Sequence, residues 1–249
     1  MPPDKLRPLL QRDPAWSAFA LGDLEPHLQP LCEWQTAGDS VLLLYRGFDP
    51  PVLFAHGRHH ELDPLIQKLE VPEVSLQLQP MMLDRLSLRY KVTHLRPMLR
   101  MVLKTTPKRA DDTIDLRPRD LSALEALHDD GRETGDAPQF FDPEMLRDGV
   151  FRACKVNGHV VAVAGTFIVS PQEGVGAIGH VYTRRDSRGK GYATKATGAV
   201  AADLLELGCR TVVLNVEQRN ATAIRVYEKL GFQRHCGFFE GSARLKSLG

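Results

Sequence analysis

Between Arg184 and Lys195 the chain sets five cations (Arg184, Arg185, Arg188, Lys190 and Lys195) against one acid, Asp186, with Gly189 and Gly191 among them. Residues of these types in this order suit the holding of an anion. Glycine has no side chain to keep a ligand away from the backbone amides, and each charge-assisted hydrogen bond to a phosphate is worth about 1.5 to 3 kcal/mol. Further along stand Asn220, Ala223, Tyr227, Gly231 and Phe232, which offer a side-chain amide, a phenol and a helix stop. His180 and Glu217, one ahead of each block, are the side chains placed to take up a proton.

The flanking elements are legible from periodicity. The apolar run Ala177 to Tyr182 reads as a strand. Ala193, Ala196, Val200, Leu204 and Leu207 fall at i, i+3, i+7, i+11 and i+14, one stripe of an amphipathic helix that Gly208 stops. A helix start leaves backbone N–H groups without intrahelical partners and carries about half a positive charge. Strand, glycine-rich turn and helix together make an anion site. A second strand, Thr211 to Val216, follows, and Asn220 stands where a second helix begins.

Three glycine motifs compete for this turn. A nucleotide P-loop needs a Gly-Lys-Ser/Thr end, which is missing, and a dinucleotide fingerprint needs a third glycine where Thr194 stands. The remaining pattern, Arg-x-x-Gly-x-Ala, is met by Arg188, Gly191 and Ala193, and the downstream block spells Asn-x-x-Ala-x-x-x-Tyr-x-x-x-Gly-Phe. The two linked motifs resemble those of the GNAT superfamily of N-acetyltransferases, over about Asp112 to Ser242. The resemblance implies an α/β (α+β) fold with a mixed, mostly antiparallel central sheet flanked by helices. It also implies acetyl-CoA as cofactor. Val181, Tyr182 and Thr183 would offer backbone groups to the pantetheine arm and thioester carbonyl, and Arg188, Gly189, Lys190, Gly191, Tyr192, Ala193 and Thr194 would cradle the pyrophosphate. Asn220 would reach the pantetheine, and the Tyr227 hydroxyl would sit by the sulfur as proton donor. The residues themselves leave plainer readings open: Asn220 as a helix cap, Tyr227 as core beside Ala223 and Leu230, Arg184 and Arg185 as a solvated charge run.

Acetyl transfer to an amine requires the amine to lose a proton and the thiolate to leave. A lysine-like amine of pKa about 10.4 is neutral about once in 2,500 molecules at pH 7, equivalent to roughly 4.6 kcal/mol. Glu217, His180 or a water relay could offset part of that. Asp129, Asp130, Glu133, Asp136, Asp142 and Glu144 against Arg132 alone suggest a cationic acceptor, or only a solvated loop. The implied reaction is acetylation of a primary amine on a small molecule or amino acid. A protein N-terminus, a lysine or an aminoacyl conjugate is the alternative acceptor, and a non-catalytic coenzyme A binding regulator the alternative role.

Composition narrows the rest. With 43% apolar and 25% charged residues in 249 and a net charge of +1, the chain is globular, with no general pull toward nucleic acid or anionic membrane. The first twelve residues lack a secretory core, and the longest apolar run, Val160 to Val169, is far short of a membrane span. The expectation is a soluble cytoplasmic protein, monomeric or homodimeric. Cys32, Cys154, Cys209 and Cys236 show no paired spacing, and the cluster His56, His59 and His60 has no carboxylate or thiol at ligand spacing, so no metal is expected. Residues 1–108 form their own α/β pattern without Arg-x-x-Gly-x-Ala, a second, smaller domain read either as a degenerate GNAT-like half or as an accessory domain. Thr106 to Asp112 is the linker, and residues 109–249 are the acetyltransferase-like domain.

Overall fold

The computed structural model describes residues 1–132, 135, 138 and 140–246. In chain order these form α1 (Pro3–Leu10), α2 (Ala18–Gly22), β1 (Cys32–Ala37), β2 (Ser40–Tyr45), β3 (Val52–His56), α3 (His59–Gln67), β4 (Glu73–Leu78), α4 (Pro80–Arg89) and β5 (Tyr90–Leu103). There follow β6 (Ile114–Asp115), α5 (Leu121–Arg132), α6 (Met145–Asp148), β7 (Arg152–Val156), β8 (His159–Ser170), β9 (Val175–Thr183), α7 (Tyr192–Glu206), β10 (Thr211–Glu217), α8 (Ala221–Lys229) and β11 (Phe232–Leu245).

Packing divides the chain into two units that no single cut separates. The first comprises Met1–Arg100, Val216–Asn220 and Arg234–Gly249; the second comprises Met101–Asn215 and Ala221–Gln233. A boundary at residue 108 describes two contiguous stretches, whereas here two late segments return to the first unit.

In the first unit the strand order is β1-β2-β3-β4-β11-β5. β1 to β3 are antiparallel, β3 and β4 are parallel with α3 as the crossover, and β4 pairs antiparallel with β11. Leu42, Leu53, Leu62, Ile66, Val74 and Leu76 meet in its core, and removal of such apolar surface from water is the main stabilising contribution. Arg100 is fully buried, donating to the Ala15 and Trp16 carbonyls at 2.9 Å, with its guanidinium over the rings of Trp16, Phe19 and Phe238 at 4.9 to 5.4 Å. Burial lowers its pKa to about 10, so it stays charged at neutral pH.

In the second unit the order is β10-β9-β8-β7-β6, antiparallel except for the parallel pair β9–β10 that α7 connects. Each unit is therefore a mixed, mostly antiparallel sheet with helices against it. The β7–β8 hairpin turns on Asn157 (φ 49°) and Gly158 (φ 82°), the left-handed pair that matches strand twist. α7 packs across β7, β8 and β9 and buries Ala196, Ala199, Val200 and Leu204. The apolar stripe ends there: Leu207 caps the helix and stands exposed. Cys209 and Gly208 then donate back to the Leu204 and Leu205 carbonyls at 2.9 and 3.0 Å, closing the last turn.

Several elements depart from the sequence pattern, which predicts a Pro-broken helix over Trp16 to Leu31, Asp120 as N-cap of a helix through Leu127, a loop over His128 to Phe141 and a short helix opened by Asp142 and Pro143. Trp16 to Leu31 is helical only at Ala18–Gly22, with a 3-10 turn at Gln29–Leu31, and Cys32–Ala37 is an additional strand. Asp120 does not begin α5; it lies in a 3-10 turn, and its carboxylate accepts the Arg117 N–H at 3.0 Å. α5 continues through Arg132, where a loop is expected from His128. Asp142 accepts the Glu144 N–H at 2.9 Å, two residues earlier than the start of α6 would require of a cap.

Candidate functional site

β9 ends at Thr183, a 3-10 turn spans Arg185–Ser187, and Gly191 is the N-cap of α7. Gly189 (φ 78°) and Gly191 (φ 82°) adopt the left-handed conformation, and a Cβ added at either would find no atom within 4 Å. The bend needs a backbone that L side chains rarely adopt, and the space beyond it is open. None of the backbone N–H groups from Gly189 to Thr194 has an acceptor among the described residues. The first turn of a fifteen-residue helix thus presents consecutive bare donors at its positive end.

The cations around the turn are held locally. Arg184 donates to Asp186 at 2.7 Å, Lys190 to the Asp186 carbonyl at 3.2 Å and Arg188 Nε to the Thr183 carbonyl at 3.1 Å, while Lys195 pairs with Asp112. These exposed pairs add little stability; their consequence is that positive charge is kept beside the bare amides.

Two opposed irregularities shape β9. Between the pairs Val163↔Tyr182 and Gly165↔Gly179 it holds one residue too many, and between Thr166↔Ile178 and Ile168↔Ala177 the surplus lies on β8. His180, at φ 51°, sits in the first bulge and Phe167 is the extra residue of the second. Their rings lie 4.4 Å apart. A non-glycine residue in this conformation is strained by about 1 to 3 kcal/mol and is often found at a functional site. The parallel ladder to β10 covers Val175 to Ile178, so β9 runs on to Thr183 with its β8 partner. Val181 and Thr183 are half-buried there and Tyr182 is buried.

His180 is 4% exposed, packed among Phe141, Phe151 and Phe167 with ring separations of 4.4 to 5.7 Å. Neither ring nitrogen has a hydrogen-bond partner among the described residues. Burial first, then the nearby His128, lowers its pKa to about 4, so the imidazole is neutral at pH 7. His128, 5% exposed on α5, is the residue that sequence reasoning passed over; its Nε2 also has no partner among the described residues. Its place four residues after Leu124, on the buried face of that helix, was the available signal.

Tyr227 on α8 is 7% exposed, its ring 6.2 Å from Phe232, and burial pushes its pKa up to about 12. Glu217 and Asn220 belong to the first unit. Glu217 closes β10 and accepts from Arg219 at 2.6 Å, and the Asn220 N–H donates to the Glu217 carbonyl at 2.9 Å just before α8. The structure therefore gathers His180 to Thr183, Arg188 to Thr194 and Tyr227 in one unit, and places Glu217 and Asn220 in the other.

The described acids of the expected acidic stretch are each engaged nearby. Asp129 pairs with Arg132 at 3.0 Å, Asp130 accepts from Tyr182 and Arg185, Asp142 holds the Glu144 N–H, and Glu144 pairs with Arg147. Glu133 and Asp136 lie outside the described residues.

Among the described residues no helix is long and apolar enough to cross a membrane. Residues 116–232 match the sequence pattern of the Acetyltransferase (GNAT) family. A stretch of 66 residues is 41% identical to the mycothiol acetyltransferase of Geodermatophilus obscurus, covering 25% of this chain and 21% of that protein's own length. In fold, the chain is similar to a Drosophila protein of known structure, with a TM-score of 0.70 and 13% identity over 99% of this chain and 96% of the other. It is also similar to a GCN5-related N-acetyltransferase from Kribbella flavida, with a TM-score of 0.58 and 18% identity over 93% and 96% of the two chains.

Proposed function

We propose, on the premise that residues 116–232 form a GNAT acetyltransferase domain, that this protein transfers an acetyl group from acetyl-CoA to the primary amine of a small molecule or amino acid. The observation that carries the reading is the run of unpaired N–H groups from Gly189 to Thr194 behind two left-handed glycines with clear space before them. Such a cradle fits a diphosphate. Arg188 and Lys190 add charge there, and the backbone of Val181, Tyr182 and Thr183 would hold an extended arm alongside β9. The cofactor supplies the activated acetyl carbonyl and the thiolate leaving group.

Tyr227 would give its proton to the departing sulfur. A phenol at about 12 remains protonated at every physiological pH, and burial that raises the phenol also raises the proton affinity of a thiolate beside it. His180 would receive the amine: the unprotonated nitrogen of its neutral ring can accept an N–H and fix the direction of the lone pair. With a pKa about 4, a proton resting on His180 lies about 9 kcal/mol above one left on a free amine of pKa about 10.4. The ring therefore orients a neutral amine; the proton that the amine sheds on acylation passes to solvent, from which Tyr227 regains the one it gave to sulfur. Glu217, already held by Arg219, is the weaker choice for this role.

The test joins a thermal shift with acetyl-CoA to an assay of free thiol release across a panel of primary amines. The intact protein is expected to gain stability with the cofactor and to release thiol with a subset of the amines. Tyr227→Phe is expected to keep the shift while kcat falls about hundredfold, the lower range for a lost general acid. Absence of any shift in the intact protein would refute the cofactor assignment.

A further inference from the structure

One carboxylate outside the sequence motifs ties the turn down. Asp130, in the last turn of α5, accepts through a single oxygen from Tyr182 Oη at 2.7 Å and from the Arg185 backbone N–H at 2.9 Å, and its other oxygen lies 3.6 Å from Arg185 Nε. Tyr182 and Arg185 flank the corner at which the chain leaves β9 for the 3-10 turn. Arg188 adjoins this pair, its guanidinium standing over the Tyr182 ring at 5.7 Å. Two anchors at the corner, Tyr182 and Arg185, therefore depend on one acid. The bonds from the Arg185 amide and from Tyr182 hold Asp130 below the usual carboxylate range, so it is charged at neutral pH.

We infer that Asp130 is a positioning residue for the anion turn: it fixes the corner before the bare amides of Gly189 to Thr194, so that they converge before a ligand arrives. An exposed turn with two left-handed glycines would otherwise have much backbone freedom to lose on binding, and that loss would be subtracted from affinity. The same helix end carries His128, two residues earlier, against Tyr182 at 6.4 Å. The last turn of α5 thus touches both the imidazole cluster and the root of the cradle.

The inference rests on the proposed cofactor reading, and the experiment separates the two. Dissociation constants for coenzyme A and for pantetheine, which lacks the diphosphate, are measured with the intact protein, Asp130→Ala, Asp130→Asn and Tyr182→Phe. The intact protein is expected to prefer coenzyme A strongly. In Asp130→Ala that preference should narrow by about tenfold or more, the weight of a charge-assisted bond, while Asp130→Asn recovers most of it because its amide oxygen still accepts the Arg185 N–H. Tyr182→Phe, which keeps the Asp130–Arg185 bond, should fall between and decides the matter if Asp130→Ala does not fold. Equal weakening of both probes would mean a merely structural role and overturn the inference, as would no change in either. An intact protein that binds the two probes alike would instead sink the diphosphate reading, whatever Asp130 does.

Discussion

Each unit sends one helix across its sheet between parallel strands, and the two junctions differ in what they do with the helix's positive end. In the first unit β3 passes to α3 through Gly57 and Arg58 alone; in the second, β9 passes to α7 through Arg184–Gly191. At the short junction the Arg58 N–H donates to Ser40 Oγ at 2.8 Å, and Ser40 in turn donates to Glu61 at 2.5 Å, which also accepts the Asp39 N–H at 3.1 Å. Glu61 lies in the first turn of α3, and a Cβ at Gly57 would stand 2.2 Å from Ser40 Oγ. The long junction has open space and unpaired donors instead. A helix start is therefore no site by itself. One start is crowded by Ser40, which holds the Arg58 N–H and leaves no room beside Gly57, while the other is held open by a longer, glycine-bearing turn.

Three experiments bear on that contrast. The largest effect is expected at the open junction. Gly191→Glu brings a carboxylate and a strained backbone into the cradle, and coenzyme A affinity measured by titration calorimetry should fall about thousandfold. Retained affinity would erase the distinction between the junctions. Next comes pH. His180 has a folded pKa of about 4 against about 6.5 when unfolded, so the unfolded chain takes the proton first as pH falls. The stability it contributes is present above about 6.5 and is lost toward 4, about 3 kcal/mol in all. Urea denaturation at stepped pH should show that slope in the intact protein and a flatter one in His180→Phe; equal slopes would mean the second unit carries no such strain. Glu61, held below the usual range chiefly by Ser40, should instead lose its contribution only as pH falls through the acidic carboxylate range. The smallest effect belongs to the crowded junction. Ser40→Ala leaves the Arg58 N–H without its partner, so melting should show about 1 to 2 kcal/mol of lost stability with coenzyme A affinity unchanged.

Much of the second unit could be read directly from residue order. The Asn157-Gly158 hairpin, the α7 stripe and the turn at Gly189 and Gly191 are local signals, each set by a few neighbouring residues. What escaped depends on partners distant in sequence. β1 buries only Trp34 of its six residues, so it shows no alternation. The bulges at Phe167 and His180 exist only as a mismatch between two strands. Asp130 looks like one of several surface acids until Tyr182, fifty-two residues away, is placed against it. The division into units was hidden for a similar reason, because strand partners of early residues arrive at the end of the chain.

That last arrangement governs how the chain can be inherited and cut. Phe239 to Arg244 run antiparallel to Glu73–Leu78, so the closing segment completes a sheet begun near the start. A gene ending near residue 108 would yield a β4 with one flank of main-chain donors and acceptors bared, a template for recruiting other chains into aggregates. The first unit is incomplete without the chain's closing segment, and selection must therefore keep the two ends in a single heritable piece.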